Sequence, residues 1–271
     1  MKVIATLLIS LFTISNLISQ TNTQKKDSVI NYKDINDKRQ GHWEKKFDNG
    51  NIAYKAYFIN NIPVGEYTRY YYTGAIKAKI NYAEDKSGKG KAVLFWDDGK
   101  KMAEGNYVDI KVKDSIWDMY AADGALIVKI KYKNGIKNGR EIKYFRNKYP
   151  SEMISWKNGI KNGVWRWYYD NGQVRMEKKF DMGKQEGPFR TYYEKGNIYI
   201  SGRYEKNKRV GIWKYYDAHG NIEKEIEYVN GVAKDKYKME QELTNKIQEW
   251  ENNKGSIPEP SIENMMNNQR R

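Results

Sequence analysis

The chain of 271 residues carries 49 Lys and Arg against 34 Asp and Glu, a formal charge of +15, with two histidines and no cysteine. Disulfides are therefore excluded, and so is metal binding through paired histidine and cysteine ligands. A basic surface of this size attracts anions by its field alone.

Residues 1 to 20 begin Met1-Lys2, run almost without charge from Val3 to Ile18, and close on Ser19-Gln20. One positive charge, an apolar stretch short for a membrane span and a small residue at the cleavage point predict a secretory signal peptide, with an uncleaved N-terminal anchor as the alternative. No cysteine follows the apolar run, which excludes lipoprotein attachment. The protein is accordingly expected to be exported to the periplasm, cell envelope or medium. Residues 21 to 40 are polar and of mixed charge, and are expected to form a flexible lead-in.

From Gly41 to about Asp235 a single unit repeats. With a glycine as position zero, the zeros fall at Gly41, Gly65, Gly90, Ser115, Gly139, Gly163, Gly187 and Gly211, 24 or 25 residues apart. Position 2 is aromatic in most units, as in Trp43, Trp117, Trp165 and Trp213; position 5 is aromatic from Tyr70 to Tyr216. Position 17 is aromatic in all eight units, from Phe58 to Tyr228. A period this long, sustained this far, marks a stacked array of one supersecondary element.

Turn pairs and alternation identify that element. Asn49-Gly50, Asp98-Gly99, Asp123-Gly124 and Asn171-Gly172 are expected to take positive φ in tight hairpin turns. Beyond them Ile76, Ala78, Ile80 and Tyr82 alternate with Lys77, Lys79 and Asn81, the signature of a half-buried strand. A second turn follows at Asn134-Gly135, Asn158-Gly159 and Asn230-Gly231, so each unit reads strand, turn, strand, turn. Glycines recurring every ten or fifteen residues among β-branched and aromatic residues disfavour helix. The zero glycine is expected either to take positive φ or to permit close approach of neighbouring hairpins. Ala92, Glu141 and the segment Lys148-Tyr149-Pro150 break the pattern, so the third and fifth units are degenerate, through a bend, a site or ordinary drift.

The pattern G-x-W-x-x-Y-x-x-N-G, an aromatic, then N-G-x-x-x-G resembles the MORN repeat variant family, a group also described as antitoxin-like. The zeros, the four tryptophans at position 2, the tyrosines at position 5 and the turn glycines carry the resemblance. It implies an all-β fold, an elongated antiparallel β-meander or solenoid of about eight hairpins, and a role in binding or scaffolding. It implies no reaction and no catalytic residues.

Residues 236 to 252 leave the pattern. Met239, Leu243, Ile247 and Trp250 fall on one face of an amphipathic helix, expected to cap the last hairpin, with partner binding as the sharper alternative. The remaining 253 to 271 are expected to be disordered.

The first strand of each unit is aromatic on both faces, and a single core covers one of them. Either a second layer buries both, or a ladder such as Phe47, Tyr71, Trp96, Phe145, Tyr169 and Tyr193 is exposed beside Lys77, Lys79, Lys129, Lys131, Arg175 and Lys179. Rings beside cations suit acidic sugars or acidic protein side chains. Expected partners are therefore a protein, an acidic envelope polymer or anionic headgroups; nucleic acid is disfavoured, no small-molecule substrate is evident and no cofactor is implied. His42 and His219 lie at opposite ends of the array and cannot share a site in a monomer. Carboxylates such as Asp97, Asp98 and Glu104 read as solvated acids. The expected function is a non-enzymatic exported binding module or scaffold; the alternatives are an antitoxin-like inhibitor that masks a toxin, and a membrane-surface scaffold.

Overall fold

A computed structural model describes residues 29–234 and 243–249. The segment expected to be a signal peptide, the C-terminal tail, Met239 and Trp250 lie outside the described residues. The chain divides into two compact units, Met1–Gly99 with Tyr107–Lys111, and Lys100–Asn106 with Val112–Arg271.

In the first unit β1 (Tyr32–Lys33), β2 (Arg39–Lys46), β3 (Ile52–Ile59), β4 (Ile62–Tyr70), β5 (Ile76–Tyr82) and β6 (Gly90–Phe95) pair in chain order, each antiparallel to the last. β7 (Lys101–Val108) lies mostly in the second unit. There β8 (Val112–Tyr120), β9 (Leu126–Lys133), β10 (Ile136–Tyr144), β11 (Pro150–Lys157) and β12 (Ile160–Tyr168) begin an equivalent antiparallel series. It continues through β13 (Val174–Asp181), β14 (Lys184–Tyr192), β15 (Ile198–Glu205), β16 (Lys208–Tyr216), β17 (Ile222–Val229) and β18 (Val232–Ala233). The fold is all-β, with residues 243–249 the one helix among those described.

The two turns of a repeat differ, which corrects one expectation. In the first, Phe47 N–H donates to Asn51 O (2.8 Å) and Gly50 N–H to Phe47 O (3.1 Å), closing a three-residue loop. Gly50 takes φ +85°, whereas Asn49 is absent from the left-handed region, as are Asp98, Asp123 and Asn171. These side chains act differently: Asn49, Asp123 and Asn171 Oδ1 accept from the N–H two residues on, at 2.9–3.0 Å. A type I turn closed by a left-handed residue needs positive φ only at its last position. The second turn is the one with positive φ at both residues, as at Asn158 (+50°) and Gly159 (+80°).

Both expected roles of the zero glycine occur. Gly65 has φ +65° and Ser115 takes the same conformation at +60° without glycine's freedom. Gly90 does not; there a β-carbon would approach the Tyr82 ring to 2.8 Å, so close packing is the reason.

Positions 0, 2 and 4 of the first strand and 13, 15 and 17 of the second share one face, where the rings pack. Trp117 and Trp213 are 0% and 1% exposed, among buried Val128, Ile130, Ile226 and Tyr228. Cations cover this ring layer. The residue two before the zero is basic in five repeats: Arg39 lies 3.9 Å from the Phe58 centroid, Lys113 4.6 Å from Trp117, Lys137 4.7 Å from Trp156, Lys161 4.0 Å from Trp165 and Arg209 4.8 Å from Trp213. Their stems extend the apolar layer while the charge meets the ring quadrupole. Burial pushes the Lys113 ammonium below the ordinary lysine range.

The fifth repeat departs from its neighbours by burying carboxylates. Glu141 replaces the aromatic at position 2 and pairs with Lys137 at 2.7 Å. Glu152 Oε1 accepts both indole N–H groups of Trp165 (2.7 Å) and Trp167 (2.8 Å), and its Oε2 meets Lys143 at 2.6 Å. At the other end of this compact unit Leu243 is buried with Ile200, Trp213, Tyr215, Ile226, Tyr228 and Ala233, and Ile247 packs on the same cluster. These two residues sit one helical turn apart, so the helix covers the last hairpins with the face its spacing predicts.

Candidate binding surface

On the face opposite the rings, positions 3 and 14 are cross-strand partners. Several carry opposite charges: Glu44 with Lys55 (3.4 Å), Asp118 with Lys129 (3.2 Å), Arg166 with Glu177 (2.5 Å) and Lys214 with Glu225 (3.0 Å). Solvated pairs of this kind stabilise by roughly 0–1 kcal/mol each. Their larger effect is to neutralise the centre of the face, and Lys129 is among the cations so taken.

The other predicted cations divide by position. Lys77 and Arg175 lie over the rings of Tyr71 (5.0 Å) and Tyr169 (5.7 Å). Lys79, Lys131 and Lys179 are exposed and form no ion pair among the described residues. Register adds two cations that sequence reading passed over. In the second compact unit the partners Ile116 and Lys131, Arg140 and Ser155, Val164 and Lys179, Pro188 and Arg203 follow one another along one row, and Arg140 and Arg203 are exposed with Lys131 and Lys179. Arg203 has Glu205 at 3.6 Å. Arg140 and Arg203 belong to positions 1 and 16, which come together only through the strand register.

Both aromatic rows at the first turn, from Lys46-Phe47 to Tyr216, prove half-buried rather than one wet and one dry; Lys46 and Ala121 break the aromatic character, and Lys46 is exposed. The inner row is tied down. Tyr71, Tyr169 and Tyr193 donate their hydroxyls to the carbonyls of Phe95, Tyr192 and Tyr216, each at 2.8 Å and each in the following repeat. Burial raises all three phenols above the ordinary tyrosine range. These tyrosines stitch repeat to repeat and offer only ring edges and faces to a ligand, while Trp96 is half-buried in the equivalent place.

A groove of about 660 Å³ opens on the same face of the first compact unit, lined by His42, Glu44, Glu66, Thr68, Tyr70 and Glu84 among others. His42 packs edge-on against Tyr57 at 5.0 Å, and Thr68 Oγ1 donates to Glu66 at 2.7 Å. His219 lies in a hairpin turn and donates its backbone N–H to Asp217. Glu104 is engaged by the Tyr120 hydroxyl at 2.5 Å and by Lys101 at 3.1 Å. Among the described residues no three His, Cys, Asp or Glu side chains gather as a metal site.

The family model of the MORN repeat variant matches residues 39–60, 63–84, 161–181, 185–206 and 209–230. The chain belongs to the MORN repeat variant family. Each matched segment is one hairpin, opening two residues before its zero glycine at Gly41, Gly65, Gly163, Gly187 or Gly211. The repeats outside these matches contain Ala92, Ser115, Glu141 and Lys148, the departures from pattern described above. MORN repeat proteins are in general binding or scaffold modules and typically not enzymes. No curated protein matches the chain.

Proposed function

We propose that this MORN repeat protein is an exported, non-enzymatic binding module that holds an acidic partner, either an envelope polymer or an array of anionic headgroups, against its polar face. The observation that carries the reading is the row Lys131, Arg140, Lys179 and Arg203, exposed on one face with Glu205 as the one acid paired to it among the described residues. Neighbouring strands lie about 4.8 Å apart, so equivalent side chains of successive repeats recur at about 10 Å. A flexible polyanion or a lipid surface can meet such a comb of charges without a shaped pocket. Tyr71, Trp96, Tyr169 and Tyr193 add half-buried rings beside Lys77 and Arg175 for stacking against sugar or headgroup. The apolar N-terminal stretch supports export.

Sedimentation with anionic vesicles and, separately, with cell-wall fragments tests the reading. Retention at low salt should fall steeply as ionic strength rises, and the triple variant Lys131→Glu, Arg140→Glu, Lys179→Glu should abolish it while the fold persists. Retention indifferent to salt and to the triple variant would exclude this face. Fractionation of a tagged full chain tests export: an uncleaved cytoplasmic product would overturn it.

A further inference from the structure

The second-turn edge of the second compact unit carries a row of apolar side chains with no role in the core. Ile136 and Ile160 are 51% and 41% exposed, and each sits at the start of its strand, three residues before the zero. Val112 occupies the equivalent place one repeat earlier. The row is continuous because each of these side chains lies on the bare turn glycine of the next repeat: a β-carbon on Gly135 would meet Val112 at 3.2 Å, one on Gly159 would meet Ile136 at 3.2 Å, and one on Gly183 would meet Ile160 at 3.3 Å.

Met182 extends the row and is costly where it stands. Equivalent turns place Asn60, Asn134, Asn158 and Asn230, and also Asp109 and Lys206, at this left-handed position; here methionine takes φ +44° and its apolar side chain is 60% exposed. Asparagine tolerates that conformation better than methionine does, so Met182 holds an apolar side chain in solvent at a backbone position that does not favour it.

Backbone chemistry restricts what can dock. Gly135, Gly159 and Gly183 donate their N–H groups to Lys113, Lys137 and Lys161 carbonyls at 2.7–2.9 Å, one repeat back. The turn edge therefore has no row of free amides for an added strand, and recognition falls to side chains. Repeats recur at about 10 Å, and one heptad of α-helix rises about 10.5 Å, so a helix lying along the edge brings one apolar side chain to each repeat. Charge selects its composition. Lys133 and Lys157, both exposed, are the cross-strand partners of Ile136 and Ile160, placing a cation beside these two, while at the Met182 end the equivalent residue is Asp181, cross-strand to Lys184.

We propose that this edge docks an acidic amphipathic helix of a partner protein, with heptad-spaced apolar residues on Val112, Ile136, Ile160 and Met182 and carboxylates on Lys133 and Lys157. The surface is separate from the polar face, and the two are tested apart.

The probe is a synthetic, helix-stabilised acidic peptide of about three heptads with leucine at one position per heptad, measured by fluorescence anisotropy against the full chain. Controls are a scrambled peptide of the same charge and a lysine counterpart of the same leucine spacing. The wild type should bind the acidic helix at least tenfold more tightly than either control. The double variant Ile136→Ser, Ile160→Ser, whose side chains are outside the core, should weaken binding tenfold or more with its thermal unfolding unchanged. Met182→Asn should weaken binding while raising thermal stability, an opposite pair of shifts that a merely structural methionine would not give. The Lys131, Arg140, Lys179 variant should bind the peptide as the wild type does. Equal binding of the scrambled peptide, or full affinity in the serine double variant, would overturn the proposal.

Discussion

The indole of Trp213 lies directly on the bare backbone of Gly202, where a β-carbon would stand 2.3 Å from ring carbon Cδ2. Trp117 lies on Gly105 in the same way, with a clearance of 2.4 Å. Both glycines occupy position 15, which is Ile80, Ile130, Ile154 or Ile226 in other repeats. Trp117 and Trp213 are thus each accommodated by removal of the side chain facing them, whereas Trp165 stands opposite Ile154.

Substituting Gly202→Ala should therefore destabilise the protein by roughly 1–3 kcal/mol, the usual cost of overpacking a closed core. Denaturant unfolding checks this, with Trp213→Leu in the alanine background as the partner variant. Partial rescue by the smaller residue is expected, and strictly additive losses would show that the two positions do not compete for space.

Ser115 takes φ +60° at a position where glycine carries positive φ in six of the other repeats. Left-handed strain in a non-glycine residue costs of order 1–3 kcal/mol, partly offset by the greater unfolded-state freedom of glycine. Ser115→Gly should raise stability by about 1 kcal/mol. A neutral or destabilising result would mean that the Ser115 hydroxyl bond to Asp114, at 3.0 Å, outweighs the strain.

Glu152 accepts two indole N–H groups and a lysine ammonium while itself buried. Glu152→Leu would leave Lys143, Trp165 and Trp167 without their acceptor, and should cost about 3–5 kcal/mol, as expected when one partner of a buried charge pair is removed. Glu152→Gln keeps an acceptor oxygen and should cost less. Tryptophan emission should shift in both variants, and an unchanged spectrum would argue against the bonding described.

Three turn aspartates set an acid limit. The side chain of Asn221 and the backbone N–H groups of Asn221 and His219 hold Asp217 below the ordinary carboxylate range; Gln40 and the Lys38 and Asn36 amides do the same for Asp34, and Ser87 for Asp85. A depressed folded-state pKa contributes stability above the unfolded value, near 3.9, and loses it as pH falls through the folded value. Unfolding midpoints should thus decline below about pH 4, and Asp217→Asn should flatten part of that decline. A pH profile indifferent to the substitution would remove Asp217 from the account.

Most of the architecture could be read from spacing because each repeat is local: Gly163, Trp165 and Phe180 belong to one hairpin, and 24 residues later the same contacts recur. What escaped was set by register and by turn type. The lysines and arginines two residues before the zero carry no sign of burial in their own chemistry, yet Lys113 and Arg209 cover rings, a role visible in sequence only as a basic residue recurring at a fixed distance from glycine. Asn49 and Asn158 precede glycine alike, but loop length, not the dipeptide, decides which asparagine turns left-handed. Arg140 and Arg203 joined the exposed row only when strand pairing brought positions 1 and 16 side by side.

The tyrosine stitches also bear on how the number of repeats can change. Tyr169 donates to Tyr192 O and Tyr193 to Tyr216 O through the same atoms at the same position, so excision of residues 187–210 would present Tyr169 with the Tyr216 carbonyl in place of the one it lost. The stitching bonds within this stretch are interchangeable from one seam to the next. Repeat number is then a trait that in-frame duplication or loss can alter in one step as far as these stitches go, but loss of residues 187–210 would set Trp213 opposite Lys178 in place of Gly202, so the residue facing the position 2 ring has to change with it.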